Sequence, residues 1–482
     1  MPLIPPTPSV VEEPRSDDRP PSSIIIIGSG VFGLTTALSL SHRPNYASTT
    51  ITVIDKSPFP VADGSSIDSS RIIRADYKNP IYARLAAEAL EIWRLPENST
   101  DGLARDGSRA GTLIYAGVGA ENRYSESGLV LVGDGDVDYV VESYRNMKAQ
   151  ADALGVGEKV KYLDSKDAIR DAMGTGGVTG SKGYINPFSG WADAQAAMVW
   201  VREQCEKRGN IKLLEGEVEM LWVKKNSETD EEKEEGKPGR KRVEGVVMKN
   251  GDMLSADITV LAAGAWSPGL LDLAGRAVAT GQVMAYVEVN EEEEAQLKDI
   301  PVALDLSNGM FIFPPRNGVM KIARHAFGYV NSVEVEDWEK AGNEVVVSRP
   351  VTSVSLPGVR IPKDDEDMLA KGLEEMVPSL KGREFKKTRL CWYTDTPTGD
   401  FIVSYHPTID RLFLATGGSG HAFKFLPVLG EKVADGIEGK LDEDLVQLWR
   451  LRDLVEGPIV THDGSRNGTE RVELGSVLRV DT

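Results

Sequence analysis

The feature that most constrains the fold is a run of four isoleucines, Ile24-Ile25-Ile26-Ile27. It passes directly into Gly28-Ser29-Gly30-Val31-Phe32-Gly33 and then into a helical pattern over 34–40. A short apolar run closed by a glycine turn reads as a buried strand. Three glycines at this spacing, between a strand and a helix, are what a dinucleotide-binding unit needs. Gly28 allows the tight turn, Gly30 lets backbone approach a pyrophosphate, and Gly33 lets helix and strand pack closely. The phosphates then lie at the helix N-terminus, beside Val31 and Phe32, where free N–H groups and the dipole favour anions. A second strand over 51–54 leads into Asp55 and Lys56. Asp55 stands about 20 residues downstream, where such a unit binds ribose hydroxyls through an acid. That acid repels a 2′-phosphate, which excludes a typical NADP site.

Strands further along favour FAD over NAD. The apolar run over 260–263 ends in Gly264, and Leu412-Phe-Leu-Ala-Thr-Gly-Gly418-Ser-Gly420 repeats that form before a helix over 428–437. Strands that end in this way beside an N-terminal dinucleotide unit let backbone approach a flavin nucleotide.

Short strands alternate with helical patterns over 79–93 and 191–208, which predicts a parallel sheet covered by helices. Residues 281–389 change character, with extended segments around Tyr286 and Met310. The expected fold class is therefore mixed α/β. A Rossmann-type FAD-binding domain is expected from 23–95, 190–280 and 390–445, with an inserted antiparallel-sheet substrate domain from 96–189 and 281–389. Residues 1–22, rich in proline, are expected to form a disordered leader. Residues 226–242 read as a charged surface loop in a hairpin, 446–482 as a C-terminal tail, and the segment after Asn467 as one that wraps the surface.

Composition narrows the partners. The chain has 482 residues with 74 Asp and Glu against 55 Lys and Arg, a formal charge of −19. This argues against a nucleic-acid partner, which needs a dense basic face. Only Cys205 and Cys391 are present, so no disulfide framework is expected. The longest apolar run falls far short of the ~20 residues that span a bilayer. The N-terminus lacks a secretory pattern and the C-terminal Val-Asp-Thr is not a peroxisomal address, so a cytoplasmic protein without a membrane partner is expected. The five histidines form no short-spaced pairs, and no metal site is expected.

Four blocks then carry a resemblance: Ser69-Ser70-Arg71-Ile-Ile-Arg74, Lys321-Ile-Ala-Arg-His325, Arg389-Leu-Cys391-Trp-Tyr-Thr394 and Gly418-Ser-Gly420-His421-Ala-Phe423-Lys424-Phe425. With the glycine unit, they make the chain resemble the FAD-dependent amine oxidases of the sarcosine oxidase group. That group includes pipecolate, saccharopine and fructosyl amino acid oxidases, and the likeness runs over residues 23–450. It implies that Arg71 and Ser70 lie at the flavin, and that Arg74 and Lys424 grip a substrate carboxylate. It also implies that Lys321 promotes reaction with oxygen, that His325 faces the substrate, and that Cys391 bonds covalently to the flavin 8α-methyl. The implied reaction is hydride loss from the carbon beside a secondary amine, giving an imine and hydrogen peroxide.

Departures from the family pattern concern the substrate. A family histidine is Ile67 here, and a family tyrosine is Phe311. Phe313 and His421 stand where fructosyl amino acid oxidases carry an acid and an arginine. These changes point to an apolar pocket, for pipecolate, N-methylated or aromatic amino acids, with a fructosyl amino acid oxidase as the alternative. An NAD-linked dehydrogenase and a catalytically silent flavin scaffold are the readings from other classes. A bound yellow chromophore that substrate bleaches would exclude both.

Overall fold

The computed structural model describes residues 20–97, 99, 110–225, 241–336, 344–453, 461, 463–466, 468–470 and 472–481. The isoleucine run forms strand Ser23–Ile27, interior to a six-stranded sheet. Its parallel neighbours are Thr50–Asp55 and Ile258–Leu261, and the sheet continues to Ile211–Glu215 on one side and Leu412–Thr416 on the other. Ile402–Tyr405 closes the second edge antiparallel. Successive isoleucines serve two cores, because side chains alternate across a strand. Ile24 and Ile26 pack under helices Val31–His42 and Leu426–Ile437. Ile25 and Ile27 meet the hairpin Val218–Lys225 and Lys241–Met248. Residues 1–19 of the expected leader and 226–240 of the expected charged loop lie outside the described residues.

A ten-stranded sheet forms the second layer. Its centre is Val278–Glu288, flanked antiparallel by Val319–Arg324 and Phe385–Asp395. The expectation of an antiparallel sheet needs one amendment, since Val302–Asp305 pairs parallel with Leu129–Gly133 and Tyr329–Val330 with Val472–Glu473. The expected boundary at residue 390 falls inside strand Phe385–Asp395, so Cys391 belongs to this sheet and pairs with Gln282.

A three-stranded sheet joins the layers: Arg71–Ile73, Gly190–Ala192 and Tyr124–Ser125. It also corrects the helix expected over 191–208. Trp191 and Ala192 pair with Ile72 and Arg71, and the helix begins after Asp193, whose side chain accepts the Ala196 N–H. Capping by an Asx side chain offsets the unpaired N–H groups of a first turn, so Asp193 decides the boundary that apolar spacing alone misplaces. No helix among the described residues is long and apolar enough to cross a membrane.

Candidate active site

A cavity of about 570 Å³ opens at the carboxyl ends of the parallel strands, where open α/β sheets bind their ligands. Of the residues expected to hold the cofactor, Gly28, Gly30, Val31, Phe32, Asp55, Lys56, Arg71, Gly264, Gly418, Gly420 and Phe423 line it. The backbone around the glycine turn is packed too closely for side chains. Gly28 has φ +107°, and a Cβ there would lie 2.5 Å from the Ala262 carbonyl oxygen. A Cβ on Gly33 would lie 1.8 Å from the Gly28 oxygen, so Gly33 serves packing of helix on strand and does not face the cavity. Asp55 accepts the Ser29 N–H and hydroxyl, both at 2.7 Å. The acid is thereby fixed at the rim with its carboxylate on the cavity wall. These residues fit a dinucleotide with a free ribose.

A smaller cavity, about 70 Å³, adjoins it. Arg71, Tyr393, Gly420 and Phe423 belong to both walls. The expected residues Arg74, Phe311, Lys321, His325, His421 and Lys424 all line this second space. Lys424, expected at the cofactor as well, lines only this one. Ile72, Met284, Leu304, Phe311 and Phe313 make much of its surface apolar.

The two cations expected to grip a carboxylate, Arg74 and Lys424, are held from behind. Arg74 is buried, lies over the Tyr77 ring at 4.8 Å, and leaves Nη1 without a partner. Lys424 Nζ donates to Tyr77 Oη and to the His421 carbonyl, each at 3.0 Å. His421 Nε2 meets the Gly399 carbonyl at 2.7 Å. A carbonyl only accepts, so Nε2 carries the proton and Nδ1 accepts from Tyr77 Oη at 2.8 Å. Burial, and then the Arg74 charge, push the Lys424 pKa well below its ordinary value. An arriving carboxylate reverses that bias, because an opposite charge favours the ammonium form.

The other cations share one carboxylate. Lys321 Nζ donates to Asp68 Oδ2 at 2.9 Å and to the Ser70 carbonyl at 2.7 Å. Arg71 pairs with the same Asp68 oxygen, and Tyr286 Oη donates to the other at 2.7 Å. Arg71 Nη2 also reaches Cys391 Sγ at 3.4 Å. Cys391 is fully buried and lines neither cavity. Ser70 contributes its carbonyl, not its hydroxyl.

Residues 23–436 match the family model described as FAD dependent oxidoreductase. The chain belongs to that family. The amino acid oxidase imqH of Aspergillus flavus is 32% identical, over 89% of this chain and 98% of that protein. The L-saccharopine oxidase of Schizosaccharomyces pombe is 28% identical, over 89% and 93%. A modified fructosyl peptide oxidase from Aspergillus nidulans superposes with a TM-score of 0.75 at 26% identity, covering 95% of this chain and 99% of that one.

Several residues of this FAD-dependent oxidoreductase site escape a reading of its sequence. Asp68 lies in a polar stretch of the chain, yet its side chain is 1% exposed. The C-terminal tail sends Asp463 and Ser465 into the smaller cavity and buries Arg466 behind it. That burial follows from charge pairing, as Arg466 reaches Asp395 at 2.6 Å, and a buried guanidinium requires such a partner. Ser66, whose hydroxyl accepts the Val31 N–H at 2.9 Å, and the aromatic Tyr77 were also without a sequence signal, while Tyr393 stood in the Cys391 block with no role of its own. Among the described residues no group of three or more His, Cys, Asp or Glu side chains is placed to hold a metal ion.

Proposed function

We propose that this oxidoreductase oxidises amino acids that carry a secondary amine, turning the amine into an imine while oxygen becomes hydrogen peroxide. The observation that carries this reading is the convergence of Arg74 and Lys424 on a cavity that shares a wall with the dinucleotide site. Arg74 Nη1 is a buried donor with no partner, and a planar guanidinium matches a carboxylate. FAD, when bound, supplies the two-electron acceptor. Gly28, Gly30 and Asp55 would hold its nucleotide half, and Arg71 and Tyr393 would face it from the shared wall. Arg74 and Lys424 bind the substrate carboxylate and orient the carbon beside nitrogen toward that wall. The apolar lining excludes water and favours an amine bound neutral. Phe311 and Phe313 on its wall offer no partner to sugar hydroxyls, which supports an apolar or aromatic substrate side chain over a fructosyl one.

The test is an anaerobic screen of the purified yellow protein with sarcosine, pipecolate, saccharopine, N-methyl aromatic amino acids and fructosyl-valine. Bleaching by the secondary-amine acids is expected, and a chromophore untouched by all of them refutes the proposal. Arg74→Gln removes one charge-assisted contact, so the KM of an active substrate should rise about 10–100-fold, in line with ~1.5–3 kcal/mol. An unchanged KM would remove Arg74 from the substrate site.

Covalent attachment of the flavin to Cys391 is part of the same proposal. Arg71, which lines the dinucleotide cavity, donates from Nη2 to Cys391 Sγ at 3.4 Å, so the sulfur is held directly behind that wall. Acid-precipitated protein should keep its yellow colour, and Cys391→Ala should release it. Colour lost from the native chain on precipitation rules the linkage out.

A further inference from the structure

We propose that Arg466, from the C-terminal segment, is a positioning residue that holds His325 as a neutral ring protonated on Nε2, with the side chain of Asp463 as the far end of the chain it sets up. Arg466 lies thirty residues past the matched region 23–436. It lines neither cavity, but it closes the smaller one from behind. Its guanidinium donates to Asp395 at 2.6 Å, the Ser419 carbonyl at 2.9 Å, the Ala326 carbonyl at 3.2 Å and His325 Nδ1 at 3.2 Å. It thus joins three pieces of chain that carry the site: the end of strand Val319–Arg324, the end of strand Phe385–Asp395, and the turn before Gly420.

A guanidinium has donors only, so His325 Nδ1 must present its lone pair to it. The ring proton is then on Nε2, which faces Ser465 Oγ at 3.3 Å. With that hydroxyl oxygen accepting from His325, its own proton goes to Asp463, 2.7 Å from Oδ1 and 2.8 Å from Oδ2. Every donor in the sequence Arg466, His325, Ser465, Asp463 is therefore fixed in direction. Asp463 is the one carboxylate among the described residues that line the cavity.

The charges around His325 agree. Arg74, Lys424 and His421 face it from the opposite walls, and the Tyr393 ring lies 6.5 Å away on the strand that carries Asp395. Arg324, on its own strand, turns away to Asn308 and Asp365. Burial, and then Arg466, Arg74 and Lys424, hold the His325 pKa well below its ordinary value. A His325 kept neutral in this way is no proton acceptor during turnover; it is a fixed ring on the cavity wall, with Nδ1 taken by Arg466 and the Nε2–H given to Ser465.

The inference rests on the proposed oxidase only for its second arm. The first uses the intact chain labelled with ¹⁵N-histidine, with His325→Gln assigning the signal. His325 is expected to show an unprotonated Nδ1 and a protonated Nε2, with no titration between about pH 6 and 8. An Nδ1–H tautomer, or titration in that window, overturns the proposal whether or not the enzyme turns over. The second arm is the Arg466→Leu/Asp395→Asn double variant, which removes the buried pair together and avoids an orphaned charge. Its His325 midpoint should rise by about one pH unit or more, and kcat/KM for an active amine should gain an acid limb that His325→Asn removes. A midpoint and a pH profile that superpose on the native ones would show that Arg466 only props the fold. If native protein turns over no amine, the oxidase reading falls while the NMR arm still decides this one.

Discussion

Substituting Lys321 by Met is expected to slow the reaction of the reduced enzyme with oxygen by about 10²–10³-fold, the cost of removing one preorganised charge from a dry site. Anaerobic reduction by substrate should be nearly unchanged. On the proposed reaction, electrons passed to oxygen create negative charge, whereas the substrate's own charge would be met by Arg74 and Lys424. Lys321 is 3% exposed, with two of its three N–H bonds committed to Asp68 and Ser70. The third is left for the cavity that Lys321 lines. Burial lowers its pKa to about 8, against the raising effect of Asp68. The ammonium is therefore present below that value and lost as pH rises through it. In the native enzyme the oxygen reaction should slow as pH climbs past about 8, and the Met variant should lack that step. Stopped-flow traces of the two half-reactions measure both effects, and equal losses in both would remove Lys321 from the oxygen site.

How much of this was legible in the sequence depends on how far apart the partners lie. The dinucleotide unit was legible because strand, glycines and helix are contiguous and Asp55 stands at a fixed offset. The pairing of Ser23–Ile27 with Thr50–Asp55 follows from that local order. Arg74 and Lys424 came from block patterns, and the structure brings both to one cavity although they stand 350 residues apart. Trp191 misled because an apolar residue before a helix looks the same in a strand; only pairing with Ile72 separates the two. Asp68 and Arg466 were invisible for a common reason. A single charged residue in a polar stretch is normally solvated, and its burial is decided by counter-charges 253 and 71 residues away, Lys321 and Asp395. Periodicity carries no trace of such pairs. The strand Phe385–Asp395 shows the same limit, since its eleven residues carry Cys391 on one sheet while Tyr393 and Thr394 reach the cavity of the other.

Asp68→Asn should give the largest loss of stability of any single change at the site, about 3–5 kcal/mol, because it leaves buried charges without a counter-ion. The carboxylate is 1% exposed and takes Lys321, Arg71 and the Tyr286 hydroxyl. An amide can accept on one atom only and turns two N–H donors toward the others. Burial works to raise the Asp68 pKa, but Lys321, and then Arg71 and Arg389, hold it far below the ordinary carboxylate range. A carboxyl with a depressed folded value stabilises the fold fully above its unfolded pKa, ~3.9, and loses that contribution as pH falls toward the folded value. The gap between native and Asp68→Asn proteins should therefore be constant from neutral pH down to about 4–5 and shrink below that. Adding Lys321→Met to Asp68→Asn removes one of the stranded cations and should recover part of the loss, a non-additivity expected of groups in one network. Urea midpoints across pH for the native, single and double variants measure this. Strictly additive losses would mean that Asp68 and Lys321 do not depend on one another, and the paired-charge account of the site would fail with them.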